Sequence, residues 1–86
     1  RMNQTTKQQG IDTRERIYRF LVEFISKNSY APSIKEIGAG TNLRSTASVY
    51  YHLMKLEEEG KIKMRRHSQR TIQVVGFEFV KEEESA

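Results

Sequence analysis

The sequence predicts a small, mainly α-helical domain that ends in a β-hairpin, and three observations support this fold class. Apolar residues repeat with helical spacing in residues 12–28, and two shorter serine-capped segments follow at 33–40 and 45–59. The alternating segments 61–64 and 71–75 then predict a pair of antiparallel strands. Three helices followed by a hairpin are typical of a winged helix-turn-helix with a two- or three-stranded antiparallel sheet.

Composition limits the chain to one small domain and excludes several classes of site. Its 86 residues are 36% hydrophobic and include no Cys, so disulfides, cysteine-bound metals and thiol nucleophiles are excluded. The first eleven residues are polar and lack the pattern of a signal peptide, and no apolar run is long enough to span a membrane. We therefore expect a cytoplasmic protein.

We expect three parts along the chain. Residues 1–11 are polar without periodicity and form a flexible arm, whereas residues 12–75 form the helical domain with its hairpin. Residues 76–86 continue an alternating pattern and then turn acidic, as either an extra strand or a linker. The last six residues hold three Glu and one Lys. Without them the chain has 14 basic and 8 acidic residues, a net charge of +6.

The first predicted helix begins at Asp12, which can cap it together with Glu15 three residues later. The helix ends near Asn28. Five apolar residues form one inward stripe: Ile17, Phe20, Leu21, Phe24 and Ile25. The polar side carries Arg14, Arg16, Arg19 and Glu23.

The second predicted helix is short and begins directly after an extended segment. Pro32 disfavours a helical backbone at the residue before it, and this segment can pair as a first strand. Ser33 caps the helix, with Glu36 as its capping-box partner. We expect the helix to stop at residues 38–40, because the two glycines there permit a left-handed backbone. Residues 41–43 form the turn.

The third predicted helix begins at Ser45 and ends at Gly60. Its buried stripe consists of Val49, Leu53 and Leu56, at i, i+4 and i+7. The opposite face carries Ala47, Ser48, Tyr51, Met54 and Lys55, with Tyr50 at its flank. This face is the one available to a partner.

The hairpin is strongly basic. Five Lys or Arg residues and no acid lie between Lys61 and Arg70, and residues 65–70 form the wing between the strands. Such a stretch fits a surface that faces phosphates. Lys and Arg also protect exposed strands from edge pairing, so a merely solvated hairpin is the alternative. The adjacent helix-turn-helix favours the nucleic-acid interpretation.

Several residues of the third helix are suited to DNA contact. Ala47 is small enough to approach a thymine methyl, and Ser48 can donate to or accept from a base edge. Tyr51 points most directly away from the core, which favours contact with a groove or a phosphate. For Tyr50, partial burial against the hairpin or first helix remains an equal alternative. Lys55, one turn later, most simply meets a phosphate.

The starts of the second and third helices are further candidates. The primary role of Ser33 and Ser45 is to cap their helices. A helix N-terminus also presents free N–H groups and a positive dipole end to a phosphate. Arg44 either fixes the register on the DNA backbone or forms a surface ion pair. Either role leaves base readout to the third helix.

No enzyme, cofactor or metal site is expected. His52, at the edge of the core, and His67, at the wing tip, lie on separate elements without clustered carboxylates. No Ser has an apparent paired base. The glutamates of the acidic tail make a poor acid–base pair.

The sequence resembles the DNA-binding domain of the LexA family of SOS-response repressors over residues 12–74. The order and spacing of four segments carry the resemblance: YAPSIKEI (30–37), LRS (43–45), VYYHL (49–53) and LEEEGKI (56–62). The resemblance implies bacterial or phage origin, repression of transcription, and a third helix in the major groove of a palindromic operator. The base contacts that it implies are Ser45, Ala47, Ser48, Tyr50 and Tyr51. The wing, with Arg66 and Arg70, would approach the backbone or minor groove.

The resemblance also implies a homodimer in the full-length protein, although this chain lacks the carboxy-terminal peptidase domain of such repressors. It is either an excised domain or a stand-alone relative. Two alternatives stay open: a duplex binder that reads structure or binds nonspecifically, and a protein-interaction module that binds no DNA. Structure-reading winged helices use Trp and prolines at the wing, whereas this chain has no Trp and a single Pro.

Overall fold

A computed structural model describes residues 6–65 and 70–76 and shows three helices followed by a two-stranded sheet. The elements are α1 (Thr6–Asn28), α2 (Ile34–Thr41), α3 (Thr46–Glu58), β1 (Ile62–Lys63) and β2 (Gln73–Val74). The strands are antiparallel, with Ile62 opposite Val74 and Lys63 opposite Gln73. The predicted winged helix-turn-helix is confirmed, with two strands in the described part of the chain. Among the described residues, no helix combines the length and apolarity that a membrane crossing requires.

One apolar core joins all five elements. Its buried members are Ile17, Leu21, Ile25, Ala31, Ile37, Val49, Leu53, Leu56, Ile62, Ile72 and Val74. The predicted stripes of α1 and α3 therefore face inward, because burying apolar surface is the main favourable term in folding. Phe20 and Phe24 are only partly buried; their ring centroids lie 5.7 Å apart, and Phe24 is again 5.7 Å from the ring of Tyr30.

The predicted start of the first helix is wrong. α1 begins at Thr6 rather than Asp12, so residues 6–11 are helical and not an arm. Once the packed part of a helix has formed, each added residue costs one backbone conformation and gains one hydrogen bond, so polar helix formers can extend it. Asp12 and Glu15 consequently lie inside α1, and Glu15 pairs with Arg19 at 3.4 Å instead of capping.

The start of α2 is confirmed, but its predicted end is wrong. The Ser33 hydroxyl accepts from the Glu36 N–H at 3.1 Å, and the Glu36 carboxylate accepts from the Ser33 N–H at 2.9 Å. α2 continues through both glycines and ends on Asn42, whose φ of 62° is left-handed. Asn tolerates this conformation better than most residues, since its short side chain bonds locally.

The two glycines of α2 instead allow close approach. A Cβ at Gly38 would lie 2.9 Å from the carbonyl oxygen of Leu43, closer than real Cβ contacts come. A Cβ at Gly40 would overlap the ring of Phe20 on α1. Because neither position carries a side chain, α2 can pack closely against the turn and against α1.

Both predicted ends of α3 are confirmed. The Ser45 hydroxyl accepts from the Ser48 N–H at 3.3 Å. At the other end Gly60 has a left-handed φ of 80°, and the N–H groups of Gly60 and Lys61 donate to the carbonyls of Glu57 and Leu56, each at 3.0 Å. This crossed pair of hydrogen bonds is a Schellman motif, which stops the helix.

The acidic run that ends α3 opposes the helix dipole but has basic partners. Glu59 lies 3.3 Å from Arg14 of α1 and 3.8 Å from Lys61, and Glu58 lies 3.6 Å from Lys55. The Arg14 pair joins the two longest helices, so the run is offset by tertiary contacts as well as local ones.

The expected first strand before α2 is absent from the described residues. Residues 31–33 are extended but unpaired with the sheet, and the carbonyl of Ala31 accepts from Arg70 instead. The extra strand or linker predicted after Gly76 falls on residues 77–86, outside the described part of the chain. The division into arm, domain and tail otherwise stays a prediction.

Candidate nucleic-acid interface

The exposed face of α3 is the clearest candidate surface. Ala47, Tyr51 and Met54 are exposed on the side opposite the buried stripe, as the helical period predicts. Tyr51 exposes 52% of its surface and Tyr50 exposes 43%. Tyr50 does not pack against the core cluster, but more than half of its surface is covered, so its partial burial stays an alternative to DNA contact. Two large aromatic rings on an exposed helix face are available to a partner.

Lys55 is held beside one of these rings. Its ammonium lies 5.7 Å from the centroid of the Tyr51 ring and 3.6 Å from the Glu58 carboxylate. Exposed ion pairs of this kind contribute little net free energy, because solvent screens them. A phosphate can replace Glu58 at small cost, so Lys55 remains suited to backbone contact.

The start of α3 is open to an anion. No acidic residue occupies its first turn, and Ser45, Thr46 and Ala47 are all exposed. Just before it, Arg44 is exposed and forms no ion pair with any other described residue. Of its two predicted roles, the surface ion pair is therefore not formed within the described part of the chain. The guanidinium and the positive end of the helix dipole can act on the same phosphate.

The start of α2 is different, because a carboxylate already occupies it. Glu36 accepts from the Ser33 N–H, and the Ser33 hydroxyl is engaged in the reciprocal capping bond. A phosphate approaching Ser33 would meet this negative charge. The geometry gives Ser33 a role in holding α2 and makes it a poor phosphate site.

Arg70 turns back toward the body of the domain. Its Nη1 donates to the Ala31 carbonyl at 3.0 Å and to Glu36 Oε1 at 3.0 Å, and its Nη2 donates to Glu36 Oε2 at 3.2 Å. The guanidinium also lies 4.9 Å from the centroid of the Tyr30 ring. In the domain by itself Arg70 is therefore directed toward α2, and its predicted contact with DNA stays a prediction.

The Arg70–Glu36 pair changes the acidity of both groups. The hydrogen bond from Arg70 lowers the pKa of the Glu36 carboxyl, and the Ser33 N–H lowers it further. The same hydrogen bond raises the pKa of Arg70. Each group therefore stabilises the charged form of the other.

The wing is closed at its base by a side chain. The Thr71 hydroxyl accepts from the Arg65 N–H and donates to the Arg65 carbonyl, both at 3.0 Å. Lys63 and Arg65 are exposed. Arg66 and His67 lie outside the described residues, so the predicted contact of Arg66 with DNA stays a prediction.

A polar contact between α1 and α3 was missed from the sequence. The helical pattern predicts that Arg14 lies on the polar side of α1. In the structure its side chain is largely buried and bonded to Glu59. It faces His52, which is 8% exposed and whose Nδ1 has no hydrogen-bond partner among the described residues. Burial lowers the pKa of His52, and the charge of Arg14 lowers it further. In the sequence, the acidic run at the end of α3 is the feature that indicates a nearby basic partner, which in the structure is Arg14.

The described residues hold no group of three or more His, Cys, Asp or Glu that could bind a metal ion. They include an exposed face on α3, a first turn of α3 without acidic residues, and exposed cations in the hairpin. A family model described as the LexA DNA binding domain matches residues 2–71.

This chain belongs to the LexA DNA-binding domain family.

This chain is also similar, over most of its length, to individual LexA repressors. The chain is 40% identical over 65 residues to the LexA repressor of Clostridium botulinum strain Hall, and the match covers 76% of this chain and 32% of that protein. It is 40% identical over 72 residues to the LexA repressor of Clostridium novyi, covering 84% and 35%. For the LexA repressor of Clostridium tetani the identity is 39% over 70 residues, covering 81% and 35%.

The chain spans about a third of the length of the curated relatives it matches. The part they share is the LexA DNA-binding domain, and its three helices and hairpin are the elements described above. Residues 72–74, which complete the hairpin, lie just beyond the matched region of the family model.

Proposed function

We propose that this domain binds double-stranded DNA sequence-specifically and serves as the DNA-binding part of a transcriptional repressor of the SOS response. α3 enters the major groove, and the wing at residues 65–70 lies along the backbone. The observation that carries the proposal is the exposed face of α3, on which Tyr50 and Tyr51 stand clear of the core beside an acid-free helix start.

We assign the contacts with the DNA bases to the first half of α3. The proposed contacts are Ser45, Ala47, Ser48, Tyr50 and Tyr51. Their hydroxyl and methyl groups suit the donors, acceptors and thymine methyls of the major groove, where a good contact discriminates by about 1–3 kcal/mol.

We assign most of the affinity to cations. Arg44, Lys55 and Arg66 are the proposed phosphate contacts, and Arg65, next to Arg66 in sequence, is exposed. Phosphate contacts orient a protein on the duplex but carry no sequence information themselves. We assign Ser33 and Arg70 to internal positioning, because both are bonded to the Glu36 carboxylate, whose negative charge repels a phosphate.

We further propose a palindromic operator bound by two copies, as a homodimer in the full-length protein. Two-fold protein symmetry is mirrored by half-sites about one helical turn apart. A single domain binds one half-site weakly, because a second linked contact multiplies the affinity. Such a repressor acts on the chromosome, in the cytoplasm of a bacterium or its phage.

The test is a selection of bound duplexes from a randomised pool, read by sequencing, with fluorescence anisotropy at two salt concentrations. We expect an enriched motif and weaker binding at the higher salt. Salt-sensitive binding without a motif would favour a nonspecific or structure-reading duplex binder. Absence of binding at low salt would overturn the DNA proposal and favour a protein-interaction module.

A further inference from the structure

The root of the wing is tied to the helix-turn-helix by one arginine. We propose that Arg70 is a positioning residue: it fixes the wing relative to α2 and α3 through Glu36, and DNA affinity depends on this wing clamp. The wing clamp comprises Arg70, Glu36, the Ala31 carbonyl and the Tyr30 ring. The inference rests on the proposed DNA binding and assigns Arg70 no phosphate contact.

The hydrogen bonds of the wing clamp have a defined geometry. Nη1 and Nη2 of Arg70 lie 3.0 Å and 3.2 Å from the two oxygens of Glu36, a fork-to-fork pair that sets orientation as well as distance. The Ala31 carbonyl takes a further bond from Nη1, and the Tyr30 ring lies 4.9 Å from the guanidinium. A lysine in this position would supply the charge but not the planar fork.

Glu36 connects this pair to the start of α2. Its Oε1 accepts from Arg70 Nη1 at 3.0 Å and from the Ser33 N–H at 2.9 Å. One carboxylate therefore completes the capping box of α2 and binds the wing, although Glu36 and Arg70 are 34 positions apart in sequence. The wing is anchored to the residues that begin the helix-turn-helix.

The backbone at Arg70 supports the same conclusion. Its φ of 57° lies in the left-handed region, which is uncommon for residues other than glycine. Such a conformation persists where the surrounding contacts hold it in place. At Arg70 those contacts are made by its own side chain with α2 and the segment before it.

The sheet alone is a weak anchor for the wing. The hairpin is anchored in the core by Ile62, Ile72 and Val74, but β1 and β2 have two residues each and neither strand reaches the wing at residues 65–70. A wing with a fixed position relative to α3 loses less conformational freedom when cations such as Arg65 contact phosphates, so a fixed position raises affinity. The wing clamp supplies this position from outside the sheet.

A direct phosphate contact by Arg70 would be opposed by its own partner. The Glu36 carboxylate is bonded to Nη1 and Nη2 of the guanidinium, and its negative charge repels a second anion. The two roles therefore predict opposite effects when the charge of Glu36 is removed.

The experiment compares Arg70→Lys, Arg70→Gln, Glu36→Gln and the Arg70→Gln/Glu36→Gln double variant by anisotropy on the selected duplex. Gln at position 36 still accepts the capping bond from Ser33, so α2 keeps its capping box. The matched control is Arg19→Gln, which removes an exposed arginine from the Glu15 pair on α1. The control is expected to bind like the unmodified domain.

We expect all three single variants to bind more weakly, by about tenfold, within the range of coupling between contacting side chains. The double variant should be no weaker than its weaker parent, because both substitutions break one interaction. Arg70→Lys with unmodified affinity, or tighter binding by Glu36→Gln, would show a phosphate contact and overturn the proposal. An additive double variant would also overturn it.

A second measurement separates positioning from general stability. In the DNA-free domain, well below the unfolding temperature, Arg70→Gln should lower the amide order parameters of Arg65 and Thr71 and leave those of α1 and α3 unchanged. Unchanged order at both wing residues would overturn the proposal. Failure of the unmodified domain to bind any duplex would defeat the proposed function instead, before any variant is compared.

Discussion

Neighbouring residues of α3 have opposite roles that follow from the helical period. Leu53 is fully buried in the core, whereas Tyr51, two positions earlier, exposes 52% of its surface. Two residues correspond to a rotation of about 200° around a helix. Substitutions at these two sites should therefore affect different properties, stability in one case and recognition in the other.

Leu53→Ala is expected to lower the free energy of unfolding by about 2–5 kcal/mol, because it removes buried methyl groups and leaves a cavity. Urea denaturation followed by circular dichroism measures this. The exposed Met54→Ala is the control, with an expected change within about 0.5 kcal/mol. Equal stability of the two variants would contradict the assigned buried face.

Tyr51→Ala is expected to relax sequence preference while the fold stays intact, because the ring lies on the proposed reading face and outside the core. A lost base contact corresponds to about 1–3 kcal/mol of discrimination. The measurement compares affinity for the selected duplex with affinity for single-base variants of it. A loss of equal size on every duplex would assign Tyr51 to the backbone.

His52 is expected to make stability depend on pH. Burial holds the pKa of its imidazole below the ordinary value of about 6.5, so the folded domain favours the neutral form. The stabilisation that comes from keeping His52 neutral is fully present above a pH of about 6.5. It is lost as the pH falls toward the folded-state pKa, since the unfolded chain takes up the proton first.

Thermal unfolding between neutral and mildly acidic pH measures this effect in the unmodified domain and in His52→Gln. The substitution should flatten the dependence in the range just below pH of about 6.5. An unchanged profile would show that other groups carry the effect.

At the scale of elements, the glycines of α2 show how local and tertiary requirements differ. Sequence reasoning treats a glycine pair after a short apolar segment as a helix end, because glycine adopts left-handed backbone. In the structure Asn42 adopts the left-handed conformation. Gly38 and Gly40 instead allow close approach to Leu43 and Phe20. Those contacts exist only after α1 and the turn have packed.

Gly38→Ala is expected to destabilise the domain by about 1–3 kcal/mol, because its Cβ would lie 2.9 Å from a backbone oxygen that cannot rotate away. Gly10→Ala is the control. It lies inside α1 with nothing within 4 Å of its added Cβ, and it should stabilise by about 0.5–1 kcal/mol through helix propensity. Thermal unfolding distinguishes the opposite signs. Stabilisation by both substitutions would contradict the close approach at Gly38.

At the scale of the whole molecule, the basic charge predicts how binding responds to salt. Residues 1–80 carry a net charge of +6, and Arg44 is an exposed cation without an ion pair in the described part of the chain. Each neutralised phosphate contributes a slope of about −0.9 to the dependence of log K on log salt.

Arg44→Gln is expected to weaken binding to all duplexes about equally and to reduce the salt slope by about 1, as for one lost phosphate contact. Anisotropy across a salt series measures the slope, with Arg19→Gln as the control. A slope equal to that of the unmodified domain would assign Arg44 a role other than phosphate contact.

Features that depend on neighbours within one or two helical turns can be predicted from the sequence alone. These are the inward stripes of α1 and α3, the caps at Ser33 and Ser45, and the glycine stop at Gly60. Each follows from helical spacing or from a hydrogen bond between residues a few positions apart. The same local logic identified the exposed face of α3.

Contacts between residues far apart in sequence depend on the packing of the whole domain. Arg70 bonds Glu36 across 34 positions, and Arg14 bonds Glu59 across 45. Such pairs depend on the angles at which packed helices and strands meet, and no local pattern encodes those angles. The sequence therefore presents Arg70 as one more wing cation. In the folded domain the same side chain holds the wing in place.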